Sequence, residues 1–249
     1  HSHKPKGTSD MDMSGVKGLL FDKDGTLLDL HGTWGVVLND LIWFSAGEGQ
    51  QRVAEDLARI GGYDLETRKF TPDSQLAQGD WSSIFQAWQE RLGPDQGKRM
   101  ISFMDDLRNG KRTRASVALG TIRPTMQALA EAGYVLGIAT NDAEHAARAD
   151  MEGLEITEFC TVIYGHDSHG AKPGPEMMNA FCAQTGFKPT EVSMVGDTMA
   201  DLNFARNAGA HSCIGVIEDS YVDPRFLEGV DVKIEHVREI PPLLGLPAV

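Results

Sequence analysis

Positive charge is scarce in this chain. Its 23 Lys and Arg face 36 Asp and Glu, a formal net charge of −13 over 249 residues. Sequence-independent binding to nucleic acid needs Lys and Arg to neutralise phosphates, so this balance argues against it. The overall field does nothing to attract phosphorylated ligands either. An anion site here must be local, built from a metal, a lysine and backbone N–H groups. Cysteine is also sparse. Cys160, Cys182 and Cys213 sit in separate apolar contexts without CxxC or Cys/His spacing. That argues against structural zinc and reads as reduced core residues of a cytoplasmic protein. No stretch approaches the roughly 18 uninterrupted apolar residues of a membrane span, and the N-terminus lacks the charged-then-apolar pattern of a secretory leader. Residues His1–Met11 are polar and patternless and are expected to form a disordered or added lead.

What remains is an ordinary globular composition, 41% apolar, long enough for one large domain or a core with a smaller partner. Four segments read as strands ending in polar residues: Val16–Phe21, Tyr134–Ala139, Val192–Val195 and His211–Val216. Thr161–Tyr164 is a weaker fifth. Helical patterns at Thr125–Ala132, Ala143–Met151, Pro175–Thr185 and Met199–Ala208 alternate with the later strands. Such alternation predicts a parallel sheet with helices on both faces, a Rossmann-like three-layer α/β core. Residues 31–115 break the rhythm with helical patterns only, at Trp34–Ala46, Gln51–Ile60, Asp80–Leu92 and Gln96–Arg108. Gly61-Gly62, Thr71-Pro72-Asp73 and Gly93-Pro94 punctuate them. The expected organisation is therefore a core of 12–30 with 116–249 and a helical insert of 31–115. All four tryptophans lie in the insert, where they fill its core, or Trp34 lines a substrate pocket.

Four clusters carry chemistry. In FDKDGTLLD, residues 21–29, Asp22 and Asp24 follow a buried apolar run, and Gly25-Thr26 turns the chain. Carboxylates at the C-terminal end of a parallel strand stand where open α/β sheets bind ligands. Two like charges so close call for a cation, or for one acting as nucleophile and the other as acid and base. The side chain of Lys23 should project away from both aspartates if strand geometry persists, which gives it no catalytic role. In LGIATND, the Thr140 hydroxyl and the N–H of Asn141 hold a phosphoryl oxygen, or else Asn141 or Asp142 starts the helix at Ala143. In GAKPGPE, Lys172 sits on a proline-stiffened loop and either neutralises an anion there or is a surface lysine. In VGDTMAD, Asp197 ends a strand and Asp201 follows one helical turn later. Asp197 suits a hard cation, whereas Asp201 either supports that site or merely favours the helix N-terminus.

Together these clusters resemble the motif set of the haloacid dehalogenase-like superfamily, most closely its phosphoglycolate phosphatase-like branch. The insert falls where that branch carries its cap. The resemblance implies an Mg²⁺-dependent phosphatase of small phosphorylated metabolites. Asp22 would be the nucleophile that forms an aspartyl-phosphate, and Asp24 the general acid and then base. Thr140, Asn141 and Lys172 would bind phosphate. Asp22, the main-chain carbonyl of Asp24, and Asp197 would hold Mg²⁺, with Asp201 an accessory. Asp24 argues against a dehalogenase or a phosphonatase, and Thr26 favours a phosphatase over a phosphosugar mutase. A non-catalytic phospho-ligand-binding protein is the alternative from another class, and a response-regulator-like phosphoacceptor fits the insert poorly. His31, Trp34, Arg52 and Thr71–Asp80 are the candidates in the insert for facing substrate, with hinges near Leu30–Gly32 and Arg114–Thr121.

Overall fold

The computed structural model describes residues 11–71, 74–77, 81–217 and 223–249. They form two compact units: Leu30–Ala115, and the chain on either side of it, with boundaries at Asp29 and Ser116. Strand β1 (Gly18–Phe21) opens the outer unit. The inserted unit then builds α1 (Val36–Ala46), α2 (Gln51–Gly61), a short hairpin of β2 (Tyr63–Asp64) and β3 (Lys69–Phe70), and α3 (Trp81–Arg108). A turn of π-helix at His31–Gly35 leads into α1. The two helices expected either side of Gly93-Pro94 are both present within α3, broken at Gly93, whose backbone (φ 73°, ψ −179°) is not helical. The hairpin departs from the all-helical expectation, because two residues per strand are too few to show an alternating pattern.

The core of the inserted unit includes Leu38, Leu41, Leu57, Phe70 and Phe103. Trp88 is fully buried, and its indole N–H donates to the Leu57 carbonyl at 2.9 Å. Trp34, Trp43 and Trp81 are only partly buried. Trp34 leans on Trp81 with ring centroids 5.3 Å apart, and the Arg114 guanidinium stacks on it at 4.4 Å.

The outer unit resumes with α4 (Arg123–Glu131), β4 (Val135–Ala139), α5 (Glu144–Gly153), β5 (Cys160–Tyr164) and α6 (His166–His169). It continues through α7 (Glu176–Thr185), β6 (Val192–Gly196), α8 (Met199–Ala208), β7 (Ser212–Val216), α9 (Pro224–Gly229), β8 (Val232–Ile234) and α10 (Ile240–Leu243). Its six strands are all parallel, in the order β5-β4-β1-β6-β7-β8. All five expected strands are present, with ends shifted by two residues at most. Strand β8 was not expected, since three residues with Lys233 in the middle make a weak signal. Met11, expected in the patternless lead, instead packs against this core. Residues 1–10 lie outside the described residues. Cys213 is buried, Cys160 and Cys182 half-buried, and all three are free. No helix among the described residues is long and apolar enough to cross a membrane.

Two features of this sheet shape the crevice at its strand ends. Its order reverses at β1: the chain moves outward through β4 and β5, then returns to lay β6 on the other side. Such a switch point opens a crevice beyond the strand ends. Side chains also alternate between faces. Leu19 and Phe21 join the cluster under α4 and α5, whereas Leu20 joins the one under α7 and α8. Gly137 on β4 lets that second face close up. A Cβ there would stand 2.6 Å from Val162 Cγ2 and 2.8 Å from Leu20 Cδ2. Gly137→Val should therefore overpack the sheet and destabilise the protein by about 1–3 kcal/mol. Denaturant unfolding measures this, and an unchanged midpoint would contradict it.

Candidate active site

Asp22 follows directly on β1, Thr140 on β4, and Asp197 on β6, so the switch point gathers three of the four sequence clusters. The fourth arrives from the loop before α7. Lys172 is buried, with its ammonium 2.7 Å from Asp22 Oδ1 and 2.6 Å from Asp201 Oδ1. The surface alternative for this lysine is thus removed. Its backbone is held by Asn141, which accepts from the Lys172 N–H at 2.7 Å and donates to the Lys172 carbonyl at 3.1 Å. The Asn141 side chain therefore positions the lysine, and only its main-chain N–H remains for an anion.

Asp201 is fully buried at the start of α8. One oxygen faces Lys172. The other accepts from the N–H groups of Asp197 (3.1 Å) and Thr198 (3.0 Å) and from the Thr198 hydroxyl (2.8 Å). Thr198 and Asp201 form a capping box, which the T-x-x-D spacing already carried. Asp201 is therefore more than an accessory charge: it fixes both the lysine and the turn that presents Asp197. The Thr26 hydroxyl donates to Asp197 Oδ1 at 3.1 Å. Gly25 has φ 75°, and a Cβ on it would lie 2.1 Å from Asp197 Oδ2. Glycine is needed there both for the turn and for the approach of the carboxylate.

The expectation for Lys23 and Asp24 needs correction. The strand ends at Phe21, and the Lys23 carbonyl accepts from the N–H groups of Leu27 (2.9 Å) and Leu28 (2.8 Å). Alternation therefore does not extend to Asp24. Lys23 does turn away from Asp22, but Asp24 turns with it, and the Lys23 ammonium meets Asp24 Oδ2 at 2.6 Å. The signal for this was a lysine set between the two aspartates, with a third aspartate, Asp142, at the end of the neighbouring strand.

Thr140 is buried, and its hydroxyl accepts from the Asp142 N–H at 3.1 Å. The start of α5 is capped from elsewhere, because the Glu144 N–H donates to Asp167 Oδ1 at 2.8 Å. Asp142 Oδ1 also accepts from the N–H of Ala143, just before that helix, at 2.7 Å, whereas the Asn141 side chain is on Lys172. The candidates in the insert are less concentrated. His31 Nδ1 accepts from the Phe70 N–H at 3.3 Å, and Arg52 is exposed on α2. Thr71–Asp80 includes 72–73 and 78–80, which lie outside the described residues.

Among the described residues, the site holds more negative than positive charge. Asp22, Asp197 and Asp201 each offer an oxygen within 4.8 Å of the others, against the single ammonium of Lys172. Burial pushes the Asp22 carboxyl up to about 7; Lys172 opposes this, and Asp201 adds to it. Burial likewise raises Asp197 well above the usual carboxylate range, with Asp22 and Asp201 adding repulsion. Burial works against the Lys172 charge too, but Asp201 and Asp22 outweigh it and hold the ammonium more firmly protonated than usual. Hard oxygen donors with excess negative charge suit a divalent cation. The cluster is thus fit to hold one through Asp22 and Asp197. The Asp24 side chain is engaged by Lys23, so only its main chain could contribute.

The raised Asp22 fixes a sign. Between ~4, the ordinary carboxylate value, and about 7, the folded state keeps a proton that the unfolded state has lost. Stability from this group therefore falls as pH rises through that window. In EDTA, Asp22→Asn should gain stability relative to the unsubstituted protein from pH 5 to pH 8, and millimolar Mg²⁺ should erase the gain at pH 8. Thermal unfolding of both proteins measures it, and a difference independent of pH and metal would contradict the argument.

The sequence comparisons agree with this geometry. The family model of the haloacid dehalogenase-like hydrolases matches residues 16–209. A phosphoglycolate phosphatase of Salmonella choleraesuis is 31% identical over 241 residues, covering 94% of this chain and 95% of that protein. Among solved structures, a predicted phosphoglycolate phosphatase from Haemophilus somnus 129PT superposes with a TM-score of 0.69. It is 20% identical and covers 93% of this chain and 99% of its own. A HAD phosphatase from Thermococcus onnurineus gives 0.63 at 21% identity, covering 94% and 100%. A reversed parallel sheet with this acidic crevice, matched by the family model over most of its length, places the chain among the haloacid dehalogenase-like hydrolases, in their phosphoglycolate phosphatase-like branch.

Proposed function

We propose that the chain is a phosphoric monoester hydrolase that acts on small, phosphoglycolate-like metabolites through an aspartyl-phosphate on Asp22. One observation carries this reading most directly. The buried Lys172 ammonium sits 2.7 Å from Asp22 Oδ1 beyond the end of β1, where it can neutralise a carboxylate and an incoming phosphoryl group together.

Phosphoryl transfer asks chiefly for alignment and for stabilisation of charge on the equatorial oxygens. Asp22 attacks phosphorus, and the bond to the leaving oxygen breaks. Asp24 gives that oxygen its proton. Asp24 then takes a proton from water, which attacks the same phosphorus and returns Asp22 as a carboxylate with release of phosphate. Lys172, the Thr140 hydroxyl and the Asn141 N–H are the donors to the transferring group. Mg²⁺, held by Asp22, Asp197 and the Asp24 carbonyl, would screen the repulsion between carboxylate and phosphate.

Phosphate release from p-nitrophenyl phosphate and a panel of alkyl phosphomonoesters tests the reading. Release should need Mg²⁺, stop in EDTA and vanish in Asp22→Asn. Asp24→Asn should lose about 10²–10⁴-fold on the alkyl esters. Turnover that survives in Asp22→Asn, or that ignores EDTA, would overturn it.

A further inference from the structure

A second buried lysine stands across the sheet from the first. Lys23 is fully buried, and its ammonium lies 2.6 Å from Asp24 Oδ2, 3.0 Å from Asp142 Oδ2 and 3.0 Å from Asp150 Oδ2. The three carboxylates come from different places: the loop after β1, the loop after β4 that carries Thr140, and the body of α5. Asp150 is anchored in turn, accepting from the Ser116 hydroxyl at 2.6 Å. Asp142 is steadied by the Ala143 N–H, which donates to its Oδ1 at 2.7 Å. Filling space does not require an ammonium here, since an apolar side chain would avoid its desolvation. An apolar side chain could not, however, hold Asp24 by one named oxygen.

We propose that Lys23 is a positioning residue for the acid–base step. Tied to Asp142 and Asp150, its ammonium holds the Asp24 carboxylate by Oδ2 and so fixes the direction from which that group meets the leaving oxygen and then water. The same tie sets the loop of Asp24 against the loop of Thr140. The inference rests on the reading of Asp24 as acid and base. It concerns where the Asp24 oxygens lie, and proton transfer is sensitive to that. Heavy atoms must approach to about 2.6–3.2 Å, and a misplacement of about 1 Å can lower a rate on the order of 100-fold.

The test compares first-turnover cleavage, with enzyme in excess and Mg²⁺ present, of p-nitrophenyl phosphate and 2-phosphoglycolate. Nitrophenolate leaves without a proton, whereas an alkoxide does not. Lys23→Met should lose about 10- to 100-fold on the alkyl ester with KM little changed, and keep nitrophenolate release within about threefold, because the oxygen that leaves it needs no donor. A general structural defect would slow both alike. Equal losses, or none, would overturn the proposal.

Asp24→Asn is the benchmark. If it shows no leaving-group selectivity, the reading of Asp24 fails and this proposal with it. Selectivity in Asp24→Asn but not in Lys23→Met overturns the positioning role alone. Should Lys23→Met not fold, Asp142→Asn and Asp150→Asn keep the ammonium and loosen its hold. Each should then show the same selective loss at smaller size, and an unselective loss or none would overturn the proposal.

Discussion

The crowding of carboxylates beyond the ends of β1 and β6 is the constraint on which the rest of this site depends. Asp22, Asp197 and Asp201 share a space a few ångströms across, and burial strips away the water that would screen them. Left alone, such a group would neutralise itself by taking up protons. The fold holds it instead with one buried ammonium, which leaves an excess of negative charge that a divalent cation would neutralise. That imbalance is a stability cost placed where the chemistry is, a familiar exchange between folding and function.

The loop after β1 is held from both faces of the sheet. On the side of α7 and α8, Lys172 ties Asp22 to Asp201, and Asn141 grips the lysine's backbone. On the side of α4 and α5, Lys23 ties Asp24 to Asp142 and Asp150. Asp22 and Asp24, two residues apart, are thereby drawn in opposite directions, which would separate the proposed nucleophile from the proposed acid without long loops. The scaffold makes this possible because β1 lies at the centre of the sheet with parallel neighbours on both sides. Its backbone is fixed by two ladders before the chain turns at Gly25.

Much of this was legible in the sequence, for physical reasons that differ from residue to residue. Buried parallel strands read as apolar runs with a polar end, so β1, β4, β6 and β7 and the residues just beyond them stood out. Asp22, Asp24, Thr140, Lys172 and Asp197 could each be placed at a strand end or on a loop by pattern alone. Directions beyond a strand end could not be read so. The alternation that aimed Lys23 away from Asp24 stops at Phe21, and residues 23–28 close a tight turn. The clamp of Asn141 on Lys172 joins residues 31 apart, and no local pattern announces it. Asp201 was legible as a favourable charge in the first turn of a helix, but its bond to Lys172 was not. In the inserted unit, a two-residue hairpin and a π-helical turn are too short and too irregular to leave a period.

Trapping the covalent phosphate is the decisive measurement. Asp24→Asn, which lacks the base for the second displacement, would be mixed with Mg²⁺ and p-nitrophenyl phosphate, whose leaving group needs no acid in the first, then quenched in acid and reduced with borohydride. Peptide mass spectrometry would then locate the modified carboxylate. An aspartyl-phosphate mechanism predicts reduction of the Asp22 side chain to the alcohol, dependent on substrate and on Mg²⁺. Phosphate trapped on another residue, or released with no carboxylate ever modified, would contradict that mechanism.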